Sequence, residues 1–252
     1  MLQIQPSYSE LRSWISFAEK EGLCFELHEL IKTLCTSSEA DGKECILTYK
    51  DSGLSCSLHG AYMDVNPFSA DTDFAALSRK KVEFSCSLAK HVGATNVVFH
   101  SSCYPLLRGS YFQSHIKAAA AYYSELAEQT GLNIFLENCL DVDPDPLAGI
   151  LENITSDKVK CCLDIGHANI SRVPVSEWFD VLGQYIGYIH LSDNNGSWDE
   201  HLPLGSGSIC WEKASELYES LHRDLPITLE TGSLESTMLS FQYLKERNYF
   251  HA

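Results

Sequence analysis

Eight times along the chain, a short apolar run is followed by a polar or acidic residue and then by a segment of helical length. The runs are LQIQP (2–6), LCFELHEL (23–30), LSCSLHG (54–60), NVVFH (96–100), NIFLEN (133–138), VKCCLDIG (159–166), IGYIHLS (186–192) and PITLET (226–231). Runs this short, rich in β-branched and aromatic residues, predict strands buried on both faces. Between them the apolar period lengthens. Leu11, Trp14, Ile15 and Ala18 predict a helix from Ser7 to Gly22, with Ser7 or Ser9 as the N-cap. Val82, Phe84, Leu88 and Val92 predict a second helix within 71–93, and an alanine run a third over 111–131. Shorter helices are expected over 146–154, 175–185, 211–222 and 234–247. The stretch 31–53 is less regular and is read as a short helix with a loop.

Strands that alternate with helices imply a parallel sheet joined by right-handed crossovers. Eight such units in 252 residues predict an α/β fold of the (β/α)8 TIM barrel type, one domain spanning residues 1–252. An open doubly wound sheet is the competing architecture. It would carry a glycine-rich phosphate turn after its first strand, and the turn here begins QPSYS.

Six of the runs stop on a residue able to bind a metal: His59, His100, Glu137, Asp164, His190 and Glu230. Alternate residues of a strand share a face, and the C-terminal mouth of a barrel is where such a fold carries its chemistry. If these side chains point inward, Glu137, Asp164 and Glu230 put three carboxylates into one cavity. Carboxylates that close cannot all stay ionised without compensation. A divalent cation is the natural compensation, with His190 as a neutral nitrogen beside it. His167, Asp199 and His201 lie just beyond strand ends, and the nine residues together can fill more than one metal site. Glu26 and His28, two residues apart in the second strand, are further candidates for lining the pocket. A lone histidine at a strand end is ordinarily a hydrogen-bonded structural residue; the recurrence is what points to metal chemistry.

The formal net charge of -16 disfavours nonspecific nucleic-acid binding. No apolar run approaches the roughly 20 residues of a membrane span. The opening MLQIQPSYSELRSW lacks the basic-then-apolar pattern of a secretory leader, so a cytoplasmic protein is expected. The ten cysteines form no C-x-x-C pair and fall largely in apolar runs, where reduced thiols are expected rather than disulfides or a zinc–thiolate site.

The stretch YIHLSDNNGSWDEHLPLGSGSICW (188–211) carries H-L-x-D-N followed by D-x-H-x-P-x-G-x-G. With LHGAYMDVNP (58–67) and VVFHSS (97–102), it makes the chain resemble the xylose isomerase-like TIM-barrel superfamily, which includes sugar-phosphate isomerases and epimerases and the endonuclease IV family. In the epimerase branch, the resemblance implies that Glu137, Asp164, His190 and Glu230 hold one divalent metal: manganese, cobalt, magnesium or zinc. Glu137 and Glu230 then also serve as the acid/base pair, and His167 contacts the substrate, a sugar or sugar phosphate. In the endonuclease branch all nine residues match a three-zinc cluster that cleaves abasic DNA. There His59 and His100 share a metal with Glu137, while His167, Asp199 and His201 hold another.

Two departures weigh against the nuclease. The metal histidine is followed by Ser192-Asp193-Asn194-Asn195 instead of N-D-x-K, and Ala168-Asn169-Ile170-Ser171 replaces an Ala-Ala-Gly stretch. The favoured expectation is a metal-dependent isomerase or epimerase, with a homo-oligomer common in the resembling family. Tyr62, Phe68 and Trp198 sit in predicted mouth loops and are candidates to stack on a sugar; Arg108 and Arg172 are candidates to meet an anionic group. Gly205-Ser206-Gly207-Ser208 precedes a helix and reads as a turn, with a phosphate cradle as the alternative.

Overall fold

In the computed structural model, eight parallel strands pair in sequence order, and the last closes on the first to make a barrel. The described residues are 1–28, 39–103 and 108–252, without the side chains of 39–43. Residues 29–30 of the expected second strand, the start of the 31–53 stretch and Cys35 therefore lie outside the described residues. The strands are β1 (Leu2–Ile4), β2 (Cys24–Leu27), β3 (Ser55–His59), β4 (Asn96–His100), β5 (Asn133–Glu137), β6 (Val159–Asp164), β7 (Ile186–Leu191) and β8 (Ile227–Leu229). The helices are α1 (Leu11–Glu21), α2 (Glu39–Ser52), α3 (Thr72–Val92), α4 (Ser110–Thr130), α5 (Asp145–Glu152), α6 (Ile165–Asn169), α7 (Val175–Leu182), α8 (Trp211–Glu219) and α9 (Leu234–Arg247). The open-sheet alternative is excluded by the β1–β8 pairing.

Local chemistry explains several boundaries. Asp71 caps α3 by accepting from the amides of Asp73 and Phe74, and Gly22, Gly93 and Gly131 end α1, α3 and α4 in the left-handed conformation. Three expectations need correction. The helix before β3, expected to be short, runs 14 residues. Phe84 is 47% exposed: the face of α3 turned to the barrel carries Val82, Ser85, Cys86, Ala89 and Val92, and Phe84 falls between its turns. Ser7 precedes a single 3-10 turn (Tyr8–Glu10) without a side-chain capping bond, and α1 begins only at Leu11.

Outward residues of the strands, among them Ile4, Phe25, Leu58, Val97, Leu136 and Leu163, pack against the helices in one continuous core. Inside the barrel, Val98, Phe135, Cys162 and Tyr188 form a separate small layer under the mouth.

Two register shifts decide what faces inward. Between β6 and β7, Cys161 pairs with Ile186 but Cys162 with Tyr188, so Gly187 is an extra residue and Asp164 comes opposite His190. A one-residue slip would have turned one of them to the outer face. Glycine is required there, since a Cβ on Gly187 would lie 2.6 Å from the Lys160 side chain and 3.0 Å from Phe135. Between β2 and β3, Phe25 pairs with Ser55 but Glu26 with Ser57, leaving Cys56 as the extra residue.

Candidate metal centre

The strand ends converge as the period-2 pattern requires. Glu137 stands opposite His100 across β4 and β5, and Asp164 opposite His190 across β6 and β7. Two groups bring one ligand atom per residue within 4.8 Å of one another: Glu137, Asp164, His190 and Glu230, and separately His59, His100 and Glu137. Glu137 is common to both. Its Oε1 lies 3.2 Å from His190 Nδ1 and 3.3 Å from His167 Nδ1, while its Oε2 lies 3.1 Å from His59 Nε2 and 3.6 Å from His100 Nε2. Beside them, Asp199 Oδ2 sits 3.3 Å from His167 Nε2 and 2.7 Å from His201 Nε2.

The histidines share one arrangement. His59 Nδ1–H donates to the Gly60 carbonyl (3.1 Å), His167 Nδ1–H to that of Asn138 (2.8 Å) and His201 Nδ1–H to that of Glu230 (3.0 Å). His190 Nε2–H donates instead to the carboxylate of Glu26 (3.1 Å). In each ring the anchored nitrogen carries the proton, and the other nitrogen aims its lone pair at a carboxylate oxygen. That is the arrangement by which ligating histidines are oriented. Lone pair against anion is repulsive until a proton or a metal ion lies between them.

The acidic oxygens give the same result. Asp164 Oδ2 and Glu230 Oε2 are buried without a hydrogen-bond partner, although Glu230 Oε2 is 2.8 Å from His190 Nδ1. That contact is close but lacks hydrogen-bond geometry, as expected of two ligands converging on a third body. The donor set of three carboxylates and one imidazole therefore fits a divalent cation of the manganese, cobalt, magnesium or zinc class.

Without a cation the charges are strained against one another. Burial, and then the neighbouring carboxylates of Glu137 and Glu230, push Asp164 up to about 7 against the pull of His167. Burial also opposes the ionisation of Glu230, but the attraction of His190 outweighs it and holds the carboxyl at about 2. His190 itself is driven well above the usual imidazole range, its burial overcome by the surrounding acidic groups. Burial drives His100 down to about 4, so it is a neutral nitrogen at pH 7, whereas the bond to Glu137 lifts His59 to about 9 despite burial.

A consequence is testable in solution. The ion-free centre carries a proton on His190 that a metal must displace, so raising the pH removes a competitor. Apparent Mn²⁺ affinity, titrated calorimetrically between pH 6 and 8, is expected to rise about tenfold per pH unit for each proton released. A flat profile would remove His190 from the ligand set.

Above these residues opens a cavity of about 440 Å3, within the usual range for small-ligand sites. His59, His100, His167, Asp199, His201 and Glu230 line it, with Gln5, Trp14, His28, Tyr62 and Thr231 as the wall. Tyr62 stands over His59 and His100, with ring centroids 5.2 and 5.3 Å away. No lysine or arginine is among the described lining residues. Arg108, expected at an anionic substrate group, pairs with Asp143 at 2.8 Å and lies over the Phe112 ring; Arg172 is also off the wall. Trp198 is 64% exposed and lies off the wall, and Phe68 is buried against His115 and Tyr123 instead of facing the mouth.

Gly205 and Gly207 do not form a phosphate cradle, because their amides donate to Asp193 Oδ2 (2.9 and 3.0 Å). Asp193 also accepts from Trp211 Nε1 (2.9 Å) and bridges to Leu202 through the backbone, which pins the loop carrying Asp199 and His201. A Cβ on Gly207 would lie 2.3 Å from Asp193 Oδ1, so the loop closes over this carboxylate only with glycine there. Asp193 entered the sequence reading only as part of a motif, without a role, and Asn138 was not singled out. Asn138 orients both its neighbours: its carbonyl accepts from His167, and its side chain bonds the backbone of Asp164 in both directions.

Comparison with known proteins agrees with this architecture. An uncharacterized protein of Methanocaldococcus jannaschii is 29% identical over 200 residues, covering 75% of this chain and 68% of that protein. Among solved structures, a D-tagatose 3-epimerase-like protein superposes with a TM-score of 0.79 at 23% identity, covering 97% of this chain and 96% of that one. The TTHB071 protein of Thermus thermophilus, soaked with ZnCl2, gives a TM-score of 0.79 at 21% identity over the same shares. An L-ribulose 3-epimerase follows with 0.71 at 20%, covering 98% and 86%. Residues 38–247 match the family described as xylose isomerase-like TIM barrel, and the chain belongs to that family.

Proposed function

We propose that the protein is a metal-dependent isomerase or epimerase of a sugar, acting by proton transfer at a carbon next to a carbonyl. The observation that carries this reading is the convergence of Glu137, Asp164, His190 and Glu230, with Glu230 reaching the cavity wall. Neighbours in fold that bear sugar 3-epimerase names support the same class.

These four residues would hold a divalent cation, which would supply Lewis-acid stabilisation of negative charge on the substrate's oxygens. The chain's own groups carry the proton. Glu230 reaches the cavity with a side chain 15% exposed, and its carboxylate is the group placed to take the proton from carbon. The electron pair left behind moves onto the carbonyl oxygen to give an enediolate. Returning a proton to the opposite face of that carbon inverts it, and returning it to the neighbouring carbon isomerises the sugar. Glu137, from a strand on the other side of the mouth, is the partner acid. His167, anchored through Nδ1, offers its Nε2 to a substrate oxygen. Gln5, Tyr62 and Thr231 supply neutral hydrogen-bonding groups suited to hydroxyls.

The cavity wall favours an uncharged sugar over a phosphorylated one, since its described residues bring no lysine or arginine to a phosphate. The test is deuterium wash-in. Metal-reconstituted protein is incubated in D2O with a panel of free ketoses and their phosphates, and label at the carbon next to the carbonyl is read by NMR. Label entering a free ketose supports the reading; no label in any member of a broad panel overturns it.

A second reading keeps a specific observation behind it. His59, His100 and Glu137 form a further three-donor group, and His167, Asp199 and His201 surround one oxygen, as a multi-zinc phosphodiesterase would need. The Ser192–Asn195 departure, the net charge of -16 and the cavity wall all disfavour it. Three tightly held zinc ions and cleavage of abasic DNA would make it the correct one.

A further inference from the structure

Beneath the metal ligands, the β2, β7 and β8 side of the layer that holds Val98, Phe135 and Cys162 is polar, where a barrel interior is normally packed with branched apolar residues. Glu26, on β2, is fully buried there. Its Oε1 accepts from Gln5 Nε2 (2.8 Å), and its Oε2 accepts from Tyr188 OH (2.6 Å), His190 Nε2 (3.1 Å) and Thr228 Oγ1 (3.2 Å). These four donors come from β7, β8 and the residue just after β1. A carboxylate sealed from water is costly unless it is fully hydrogen-bonded, so a site that gathers four donors around one is built to keep its charge. The register shift between Phe25 and Glu26 is what turns this residue inward toward His190.

Resting on the metal-centre reading above, we propose that Glu26 is a positioning residue that fixes His190 for the cation. Glu26 accepts a hydrogen bond from Nε2–H, which sets the tautomer and leaves Nδ1 free. It also holds the ring so that Nδ1 faces Glu137 Oε1 at 3.2 Å and Glu230 Oε2 at 2.8 Å, the residues that would hold the ion with it. His59, His167 and His201 are each anchored by a backbone carbonyl. His190 is the one of the four anchored by a charged side chain. The negative charge raises the basicity of Nδ1 as a donor, so the sharing of His190 between Glu26 and the cation strengthens both contacts. Tyr188 and Thr228, whose hydroxyl oxygens lie 2.8 Å apart, both hold the carboxylate through Oε2.

The experiment measures metal binding, not turnover. Chelator-stripped wild type, Glu26→Gln and Tyr188→Phe are titrated with MnCl2 by calorimetry, and the thermal unfolding of each ion-free protein is recorded separately. Glu26→Gln is expected to bind Mn²⁺ between about 10- and 100-fold more weakly, the range seen when such anchoring partners are lost. Tyr188→Phe, which removes one bond to Glu26 and touches no ligand atom, is expected to bind about fivefold more weakly. In the zinc-loaded protein, long-range 1H–15N spectra are expected to show His190 carrying its proton on Nε2.

If Glu26→Gln binds within twofold of wild type while its unfolding temperature falls, Glu26 is a structural residue only and the proposal is wrong. If Glu26→Gln does not fold, Tyr188→Phe decides, and unchanged affinity in that variant overturns the proposal. Wild type that binds no Mn²⁺ overturns the metal-centre reading itself, and the positioning role with it.

Discussion

Glu137→Gln is expected to abolish metal binding and turnover together. Each oxygen of Glu137 belongs to a different cation group, Oε1 facing His190 and Oε2 facing His59 and His100. Neutralising this one side chain therefore weakens both. The histidines and the burial hold Glu137 in opposite directions, and the attraction of His190, His167 and His59 wins, keeping its carboxyl well below the usual range. The glutamine amide has no charge to offer and replaces one acceptor oxygen with a donor. That donor can bond His59 Nε2, whose lone pair is left free by the Gly60 anchor, so the ion-free variant is expected to fold. Loss of the cation and of one proton-transfer partner at once predicts a fall in kcat/KM on the order of 10³-fold or more. Elemental analysis after reconstitution, with the wash-in rate measured in parallel, checks it. Wild-type metal content in Glu137→Gln would take Glu137 out of the ligand set.

Much of this centre was legible in the sequence because a strand carries its own ruler. Apolar runs ending on His59, His100, Glu137, Asp164, His190 and Glu230 needed only the period of 2 and the closed barrel to bring those ends together. What stayed hidden depended on partners far away in sequence. Glu26 was legible only as a candidate to line the pocket beside His28; its buried place beneath His190 comes from the register shift against β3 and from Tyr188, 162 positions later. Gly187 gave no sign of being an inserted residue, although without it Asp164 and His190 would not face each other. Gly205 and Gly207 carried the composition of a phosphate turn, but a loop with free amides cannot be told by composition from one whose amides are taken by Asp193. Arg108 was close to the mouth in sequence and was drawn off by Asp143, an acid on the neighbouring loop. Local patterns set elements and faces, while hydrogen-bond ownership is decided by tertiary contacts.

The largest effect on chemistry, as distinct from metal binding, is expected from Glu230→Gln. The four ligand residues are not equivalent. Glu137 is 1% exposed and has both oxygens matched by histidines. Asp164 is fully buried and spends Oδ1 on the amide of His167, capping α6, so changing it also moves His167. Glu230 alone of the three carboxylates lines the cavity. It follows β8 directly, with a side chain 15% exposed. A glutamine there still presents an amide oxygen to a cation, so Mn²⁺ binding should persist, weaker by between about 10- and 100-fold and recoverable at high metal concentration. The amide cannot accept a proton from carbon at neutral pH. At saturating metal, kcat for deuterium wash-in is therefore expected to fall on the order of 10²- to 10⁴-fold, the usual worth of a positioned general base. The contrast with Glu137→Gln separates the roles, since one variant fails at binding and the other fails after binding. Near wild-type wash-in by metal-saturated Glu230→Gln would require the base to be another group on the cavity wall, and His167 and Asp199, 3.3 Å apart, are the pair that the geometry would put forward.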